Sequence, residues 1–454
     1  MNYDYDLIII GAGPGGYEAA FDAAKYGKTA VVEADKVGGT CLNRGCIPTK
    51  TIMHASEIAR EARESASLGV HADVDVDLDE VCDRKESVLA TLRDGIEGGL
   101  KRSKVDLLRG RGFVSAPHTV VITSEDGTEE TKTAKNILLA TGSHPFIPPI
   151  PGADLPGVVD STALLNLKGE VPQDLVIIGG GVIGVEFATV YHGFGSRISV
   201  IEAMDHLLPP CDKELGRSLK TAFQKNGIDV FTKSPVSRIE QKDGRLSVVY
   251  TDKNGEQEIP ADIILMAVGR RPTSEGLVAE ELSHIYREKG YISVNENYQT
   301  EVEGLYAIGD LIGGIELAHV ATAEGRNAVA LMNGEKAPIR METVPSCIYT
   351  VPEIAEVGLT ADQAKEEGIA VITKKYAMGA NGKTVLSDLG RGFIKLVARE
   401  EDHVLVGAQL FCGRATDLVG ELAIAISNDL TLEDVASTVH PHPTFVEAIA
   451  EAAR

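Results

Sequence analysis

YDLIIIGAGPGGYEAAFDAAKYGKTAVVEA, residues 5–34, runs from an apolar segment (Asp6 to Ile10) through a glycine-rich turn to a second apolar segment closed by an acid. Gly11, Gly13 and Gly16 have GxGxxG spacing, and a helix is predicted to begin near Pro14. In that context each glycine has a task. Gly11 permits the tight turn, Gly13 lets a pyrophosphate approach the backbone, and Gly16 lets helix pack on strand. The helix N-terminus attracts phosphate, and Glu33 can accept hydrogen bonds from a ribose diol. The stretch predicts a Rossmann-type strand–helix–strand unit that binds a dinucleotide.

The pattern returns. DLVIIGGGVIGVEFATVYHGFGSRISVIEA, residues 174–203, repeats the spacing with Gly179, Gly181 and Gly184, and Glu202 stands where Glu33 stood. Two such units mean two dinucleotides, or one dinucleotide and a relic of duplication. A carboxylate at Glu202 accepts a hydrogen bond from a ribose 2′-hydroxyl and repels a 2′-phosphate. Ala203 to His206 supply no arginine, so NAD is expected rather than NADP.

Directly after the first unit comes GGTCLNRGCIPTK, Gly38 to Lys50, with four residues between Cys41 and Cys46. On an ideal helix residues five apart have Cα atoms about 8–9 Å apart, whereas a disulfide needs about 7 Å or less. If these cysteines bond, the segment is a distorted turn, and Gly38, Gly39 and Gly45 are what allow it. A small strained ring is easier to reduce than a structural staple, which suits a redox centre. The other reading is two buried thiols that never bond. A zinc site needs a second ligand pair, which the sequence lacks, so no metal is expected. Cys82, Cys211, Cys347 and Cys412 are widely spaced and read as small buried apolar residues.

From Ile58 to Gly99 apolar residues recur at helical spacing, interrupted by an acidic surface loop, Ala72 to Glu80. A strand-rich section follows from Val105 to Ala140, with turns expected at Gly110, Gly112 and Asp126-Gly127. It ends in LLATGS (Leu138 to Ser143), and the prolines after it mark a domain crossing. Beyond the second unit, strand Ala261 to Gly269 leads into a basic turn, Gly269 to Pro272. GLYAIGD then offers Asp310 either to a polyol chain or to a β-turn. From about Met341 the chain reads as α+β, with a hairpin over Gly392 to Phe411 and helices from Asp417 and Leu432. In the final HPHPTFVEAIAEAAR, His442 is the candidate base, since imidazole titrates near pH 6.5. Glu447 can orient it, although Thr444 to Glu447 also has capping-box spacing.

The totals exclude several classes. Forty-four basic against 67 acidic residues give a net charge of −23, which disfavours nucleic-acid or anionic-membrane partners. Apolar content of 43% and charged content of 24% are those of a globular protein, and 454 residues suffice for about three domains. No apolar run approaches bilayer length, about five residues precede the first strand, and a reducing, cytoplasmic setting is expected.

In their order along nearly the whole chain, GAGPGG, GGTCLNRGCIPTK, LLATGS, GGGVIGVE, AVGRRP, GLYAIGD, LAHVA, YTVPEIAEVG and HPHPTFVEA resemble the motifs of the pyridine nucleotide–disulfide oxidoreductases. GCIPTK, LAHVATAEG and HPHPT most resemble the dihydrolipoyl dehydrogenase branch, beside those of glutathione and mercuric reductase. The resemblance implies an α/β fold with two Rossmann-like domains for FAD and NAD and a C-terminal α+β dimerisation domain. The divisions expected are 1–148 and 272–340 for FAD, 149–271 for NAD and 341–454 for the interface. It implies a redox disulfide with Cys46 facing the flavin and Cys41 exchanging with substrate, and His442 with Glu447 as the base reaching the dithiol of the other subunit. Lys50 and Glu186 match a charged pair near the flavin ring. Thr40, Gly112, Thr141, Gly142, Ser143, Asp310 and Ala318 are implied on the FAD side, and Gly269 joins the second-unit residues as a cofactor contact. The partners implied are a second copy of the chain and a lipoylated protein of a 2-oxo acid dehydrogenase complex or the glycine cleavage system. Arg44 departs from the small apolar residue common at its position, and a cation there is expected to lower a neighbouring thiol pKa. Two rivals stand beside this reading: a glutathione-type reductase using NADPH, and a non-catalytic flavin-containing component.

Overall fold

Tyr5–Ile10 and Thr29–Glu33 are apolar on both sides, the pattern of strands covered on both faces. They pair in parallel, Leu7 opposite Thr29 and Ile10 opposite Val32, with helix Pro14–Ala23 between them in sequence. The computed structural model, which describes residues 2–389 and 392–454, extends this pair into a seven-stranded sheet. The long strand Glu129–Leu139 is its pivot. It pairs in parallel with Tyr5–Ile10 and with Leu305–Ala307, and antiparallel with Thr119–Thr123. The strand ending in GLYA is thus returned to the first sheet after the whole second unit has been made.

The second unit is an all-parallel sheet in the order Asp229–Thr232, Arg197–Glu202, Asp174–Ile178, Ile263–Met266, Val158–Val159. The chain crosses into it at Ser143–Pro145 and returns at Arg270–Pro272, and these two segments pair antiparallel as a ribbon. Residues read as a basic turn are therefore a strand: Gly269 takes the positive φ of +131° and Arg270–Pro272 run straight after it. Gly112 is likewise not in a turn but inside strand Arg111–Ala116. An added Cβ there would sit 2.9 Å from Ile10 Cγ2, so the glycine is a matter of space. The acidic loop ends sooner than read, because Asp77 caps helix Leu78–Arg102 by accepting from the amides of Asp79 and Glu80.

The third unit is a five-stranded antiparallel sheet, Ser346–Ile348, Glu353–Gly358, Leu405–Cys412, Phe393–Arg399, Val371–Ala377, with helices Ala415–Ser427 and Leu432–Ser437 following its hairpin. One register row across it carries Ser346, Glu356, Gln409, Lys395 and Lys375. Lys395 Nζ meets Asp212 Oδ2 at 2.6 Å, and Asp212 is the N-cap of helix Lys213–Lys225 in the second unit. That buried pair ties the third sheet to the second.

Two helices place the site. Cys46–Glu64 lies against Val182–Phe194, where Ser56 Oγ donates to the Val190 carbonyl at 2.6 Å and an added Cβ on Gly193 would run into that hydroxyl. At the far end Arg63 donates to the carbonyls of Gly193 and Phe194, which a helix C-terminus leaves unpaired. This crossing sets the early turns of both helices side by side.

Candidate active site

The two glycine turns are built alike. Gly11 has φ +106° and Gly179 φ +113°, a region that favours glycine. An added Cβ on Gly16 would run into the Gly11 carbonyl, and one on Gly184 into that of Gly179. The acids repeat as well. Glu33 accepts from the amides of Ala12 (2.8 Å) and Asp35 (2.9 Å), and Glu202 from those of Gly180 and Met204 (both 2.7 Å). Each carboxylate braces its own turn from below, a role the ribose reading did not include, and each keeps lone pairs facing the cleft.

Between the sheets lies a cleft of about 2110 Å³, roughly twice the upper range of a single small-molecule site. It is lined from the first unit by Gly11, Gly13, Glu33, Gly112, Thr141 and Gly142, and from the second by Gly179, Gly181, Glu202 and Gly269. Gly16 and Gly184 lie instead in the first turns of their helices, packed against the preceding strand. Thr40, Lys50, Glu186, Asp310 and Ala318 also face the cleft, with both Cys41 and Cys46. Two phosphate-binding helix N-termini opening on one cleft fit two dinucleotides.

The cysteine segment is not a loop. Gly39–Arg44 is one short helix and Cys46–Glu64 another, broken at Gly45 (φ −141°, ψ −111°). The break lets two sulfurs five positions apart meet. Both are free thiols, their sulfurs close enough to share a hydrogen bond. That hydrogen bond pushes the Cys41 pKa up, and burial adds to it. The same bond holds Cys46 down at about 7, with Lys50 helping and Glu186 opposing. Cys46 also opens a 19-residue helix, whose N-terminus favours a thiolate. The cation involved is Lys50, one turn along, and not Arg44, which is ion-paired with Asp35.

Lys50 Nζ contacts both oxygens of Glu186, at 2.8 and 2.6 Å. Glu186 is 5% exposed, and its Oε1 also accepts from the Tyr349 amide at 3.1 Å. A second polar cluster centres on Ser143. Its carbonyl accepts from Thr40 Oγ1 at 3.4 Å and from Arg270 Nη2 at 2.6 Å. Its hydroxyl accepts from Arg270 Nε at 2.7 Å and donates to Asp310. Asp310 sits in a helical turn, Gly309–Leu311, and faces the cleft. Burial holds the Arg270 pKa below its usual value. Beneath this turn Glu324, 8% exposed, accepts from the Gly309 amide at 2.6 Å, and burial raises its pKa to about 7. Arg270, Tyr349 and Glu324 lay within quoted motifs but carried no sequence signal of their own.

His442 and Glu447 form a pair of their own. His442 Nδ1 lies 2.8 Å from Glu447 Oε2, while Glu447 Oε1 accepts from the Thr444 amide (3.3 Å) and Asn381 Nδ2 (3.3 Å). The imidazole is exposed, and neither residue lines the cleft of its own chain. Glu447 has its pKa lowered, chiefly by the His442 hydrogen bond.

Residues 5–325 match the family described as pyridine nucleotide-disulphide oxidoreductase, and residues 344–453 match that family's dimerisation domain. The chain is 38% identical over 457 residues to a dihydrolipoyl dehydrogenase of Geobacillus stearothermophilus, covering 99% of this chain and 95% of the relative. A dihydrolipoyl dehydrogenase of Staphylococcus aureus is 39% identical over 451 residues, covering 99% and 96%. Among solved structures, LpdA of Mycobacterium tuberculosis has a TM-score of 0.90 at 29% identity, over 98% of each chain. The Cu(II) complex of the HOCl-induced flavoprotein disulfide reductase RclA of Escherichia coli has a TM-score of 0.88 at 27% identity, covering 100% of this chain and 99% of that one. These matches cover nearly the whole chain: it belongs to the pyridine nucleotide-disulphide oxidoreductases, whose cofactors are FAD and NAD(H).

Proposed function

We propose that the chain is a dihydrolipoyl dehydrogenase, oxidising protein-bound dihydrolipoyl groups with NAD⁺ as final acceptor. The observation that carries this is the sulfur pair, one thiol held down and its neighbour pushed up, at the cleft between the two dinucleotide turns. The cycle starts with Cys41 and Cys46 joined as a disulfide. His442 of the partner subunit, held by Glu447, takes a proton from one substrate thiol. The thiolate attacks the Cys41 sulfur, the Cys41–Cys46 bond breaks, and Cys46 leaves as a thiolate beside Lys50. As Cys41 is expelled it takes the proton from the imidazolium, and the imidazole so freed takes the proton of the second substrate thiol, whose sulfur closes the lipoyl disulfide. Two electrons now rest on the cysteine pair. Bound FAD supplies the chemistry that accepts them and returns them as hydride to NAD⁺. Gly11, Gly13, Glu33, Thr40, Gly112, Thr141, Ser143, Asp310 and Ala318 are the proposed FAD contacts, and Gly179, Gly181, Glu202 and Gly269 the NAD contacts.

The exposed His442–Glu447 pair, remote from the cleft, supports a homodimer in which each subunit completes the other's site. The electron donor proposed is a lipoylated protein of a 2-oxo acid dehydrogenase complex or the glycine cleavage system, in the cytoplasm. The domain division proposed is 1–148 with 272–340, 149–271 and 341–454. Turnover of lipoamide with NADH, set against oxidised glutathione with NADPH, tests the assignment. Lipoamide with NADH is expected to be the faster by orders of magnitude, and the reverse preference would contradict it. Among the described residues no helix is long and apolar enough to cross a membrane.

A further inference from the structure

The Lys50–Glu186 pair is assembled by three parts of the chain. Lys50 comes from the helix that Cys46 opens and Glu186 from the second unit's first helix. Tyr349 follows strand Ser346–Ile348 of the third sheet and contributes twice: its amide donates to Glu186 Oε1, and its ring lies 4.4 Å from Lys50 Nζ. Lys50 and Cys46 are four positions apart on one helix and so share a face. The ammonium is therefore held by a carboxylate and an aromatic face, with the Cys46 sulfur as neighbour. All four side chains open on the cleft.

We propose that Tyr349 is a positioning residue for the sulfur site, its ring fixing the Lys50 ammonium between Glu186 and Cys46. An aromatic face attracts a cation, more strongly where water is excluded. Without the ring, Lys50 gains freedom and hydration, and its field at the Cys46 sulfur weakens. The charged and titratable groups facing that sulfur are Cys41, Lys50, Glu186 and Arg270. Those facing the tyrosine are Cys347, Glu186, Glu353 and Asp417. Lys50, 4.4 Å from the ring, is the one of these that changing the ring is expected to disturb. Burial raises the Cys347 thiol to about 11 and pushes that of Cys211 up as well, so neither of these other cleft thiols competes as a nucleophile near neutral pH.

The test is the pH dependence of Cys46 alkylation by iodoacetamide in the reduced holoenzyme, read by mass on the tryptic peptide that Arg44 separates from Cys41. Tyr349→Leu is expected to move the midpoint upward by roughly half a unit to one unit, whereas Tyr349→Phe, which keeps the ring, is expected to leave it in place. In a Lys50→Met background, Tyr349→Leu is expected to add no further shift. A Tyr349→Leu midpoint equal to the parent's, an equal shift in Tyr349→Phe, or a shift that survives without Lys50 would each overturn the proposal. The inference rests on the proposed function only for its catalytic consequence. Alkylation reads the thiol itself, so its failure is distinct from failure of lipoamide turnover.

Discussion

Glu447 holds His442 Nδ1 with one oxygen, at 2.8 Å, and the Thr444 amide with the other, at 3.3 Å. The capping-box spacing of Thr444 and Glu447 does not cap the helix: Glu447–Ala453 begins at Glu447 itself, with Val446 as its N-cap and no side-chain cap. The Thr444 amide instead anchors the carboxylate that holds the imidazole. A general base is worth about 10²–10⁴ in rate, so His442→Gln is expected to lower lipoamide turnover by that factor. Glu447→Gln is expected to give a smaller loss, about tenfold to a hundredfold, by loosening the ring. Flavin reduction by NADH needs neither group and is expected to stay near the parent rate in stopped-flow measurements.

Glu202 supports the buried Gly180 amide and the part-buried Met204 amide, so its removal leaves both donors unpaired. Unsatisfied buried groups cost about 1–3 kcal/mol each. Glu202→Ala is expected to raise the KM for NADH by about tenfold or more, with a smaller change in kcat, and to lower the midpoint of urea unfolding. An unchanged KM would remove Glu202 from the nicotinamide nucleotide site.

Glu324 binds its proton more tightly folded than unfolded, with a pKa near 7 against 4.5. Its contribution to stability is full below about pH 4.5 and falls as pH rises through 7. Glu324→Gln keeps an acceptor for the Gly309 amide and has no charge to bury. The variant is expected to gain about 2–3 kcal/mol relative to the parent between pH 5 and pH 8, measured by denaturant unfolding at both pH values.

Lys395 and Lys375 sit in the same register row but in different surroundings. Lys395 and Asp212 are each 11% exposed, whereas Lys375 and Glu214 are 44% and 40% exposed. Breaking a buried pair strands a charge, so Lys395→Ala is expected to cost about 3 kcal/mol or more. Lys375→Ala is expected to cost about 1 kcal/mol or less. Equal losses would mean that the row is not the contact joining the second and third sheets.

What the sequence revealed followed from how local each signal is. Gly11–Gly16 and Gly179–Gly184 act within one turn of chain, so their spacing between an apolar strand and a helix announced two Rossmann-type units. Gly112 was read as a turn, but it pairs with Ile122 in a strand, and the lack of a side chain makes room for Ile10, about a hundred residues away. Arg270–Pro272 looked like a turn because its strand partner, Ser143–Pro145, lies across the whole second unit. Arg44 was expected to act on a thiol, but Asp35 neutralises it. The Lys50–Glu186–Tyr349 contact joins positions 136 and 163 residues apart, and only packing brings them together.

The central claim is that Cys46 is the sulfur through which electrons leave the substrate. Anaerobic addition of dihydrolipoamide to the FAD-loaded enzyme tests it, followed by absorbance at long wavelength, where a thiolate beside an oxidised flavin gives a broad band. The parent is expected to develop that band, and Cys46→Ser is expected to lack both the band and lipoamide turnover. A Cys46→Ser enzyme that shows the same band, or turns over at the parent rate, would contradict the account.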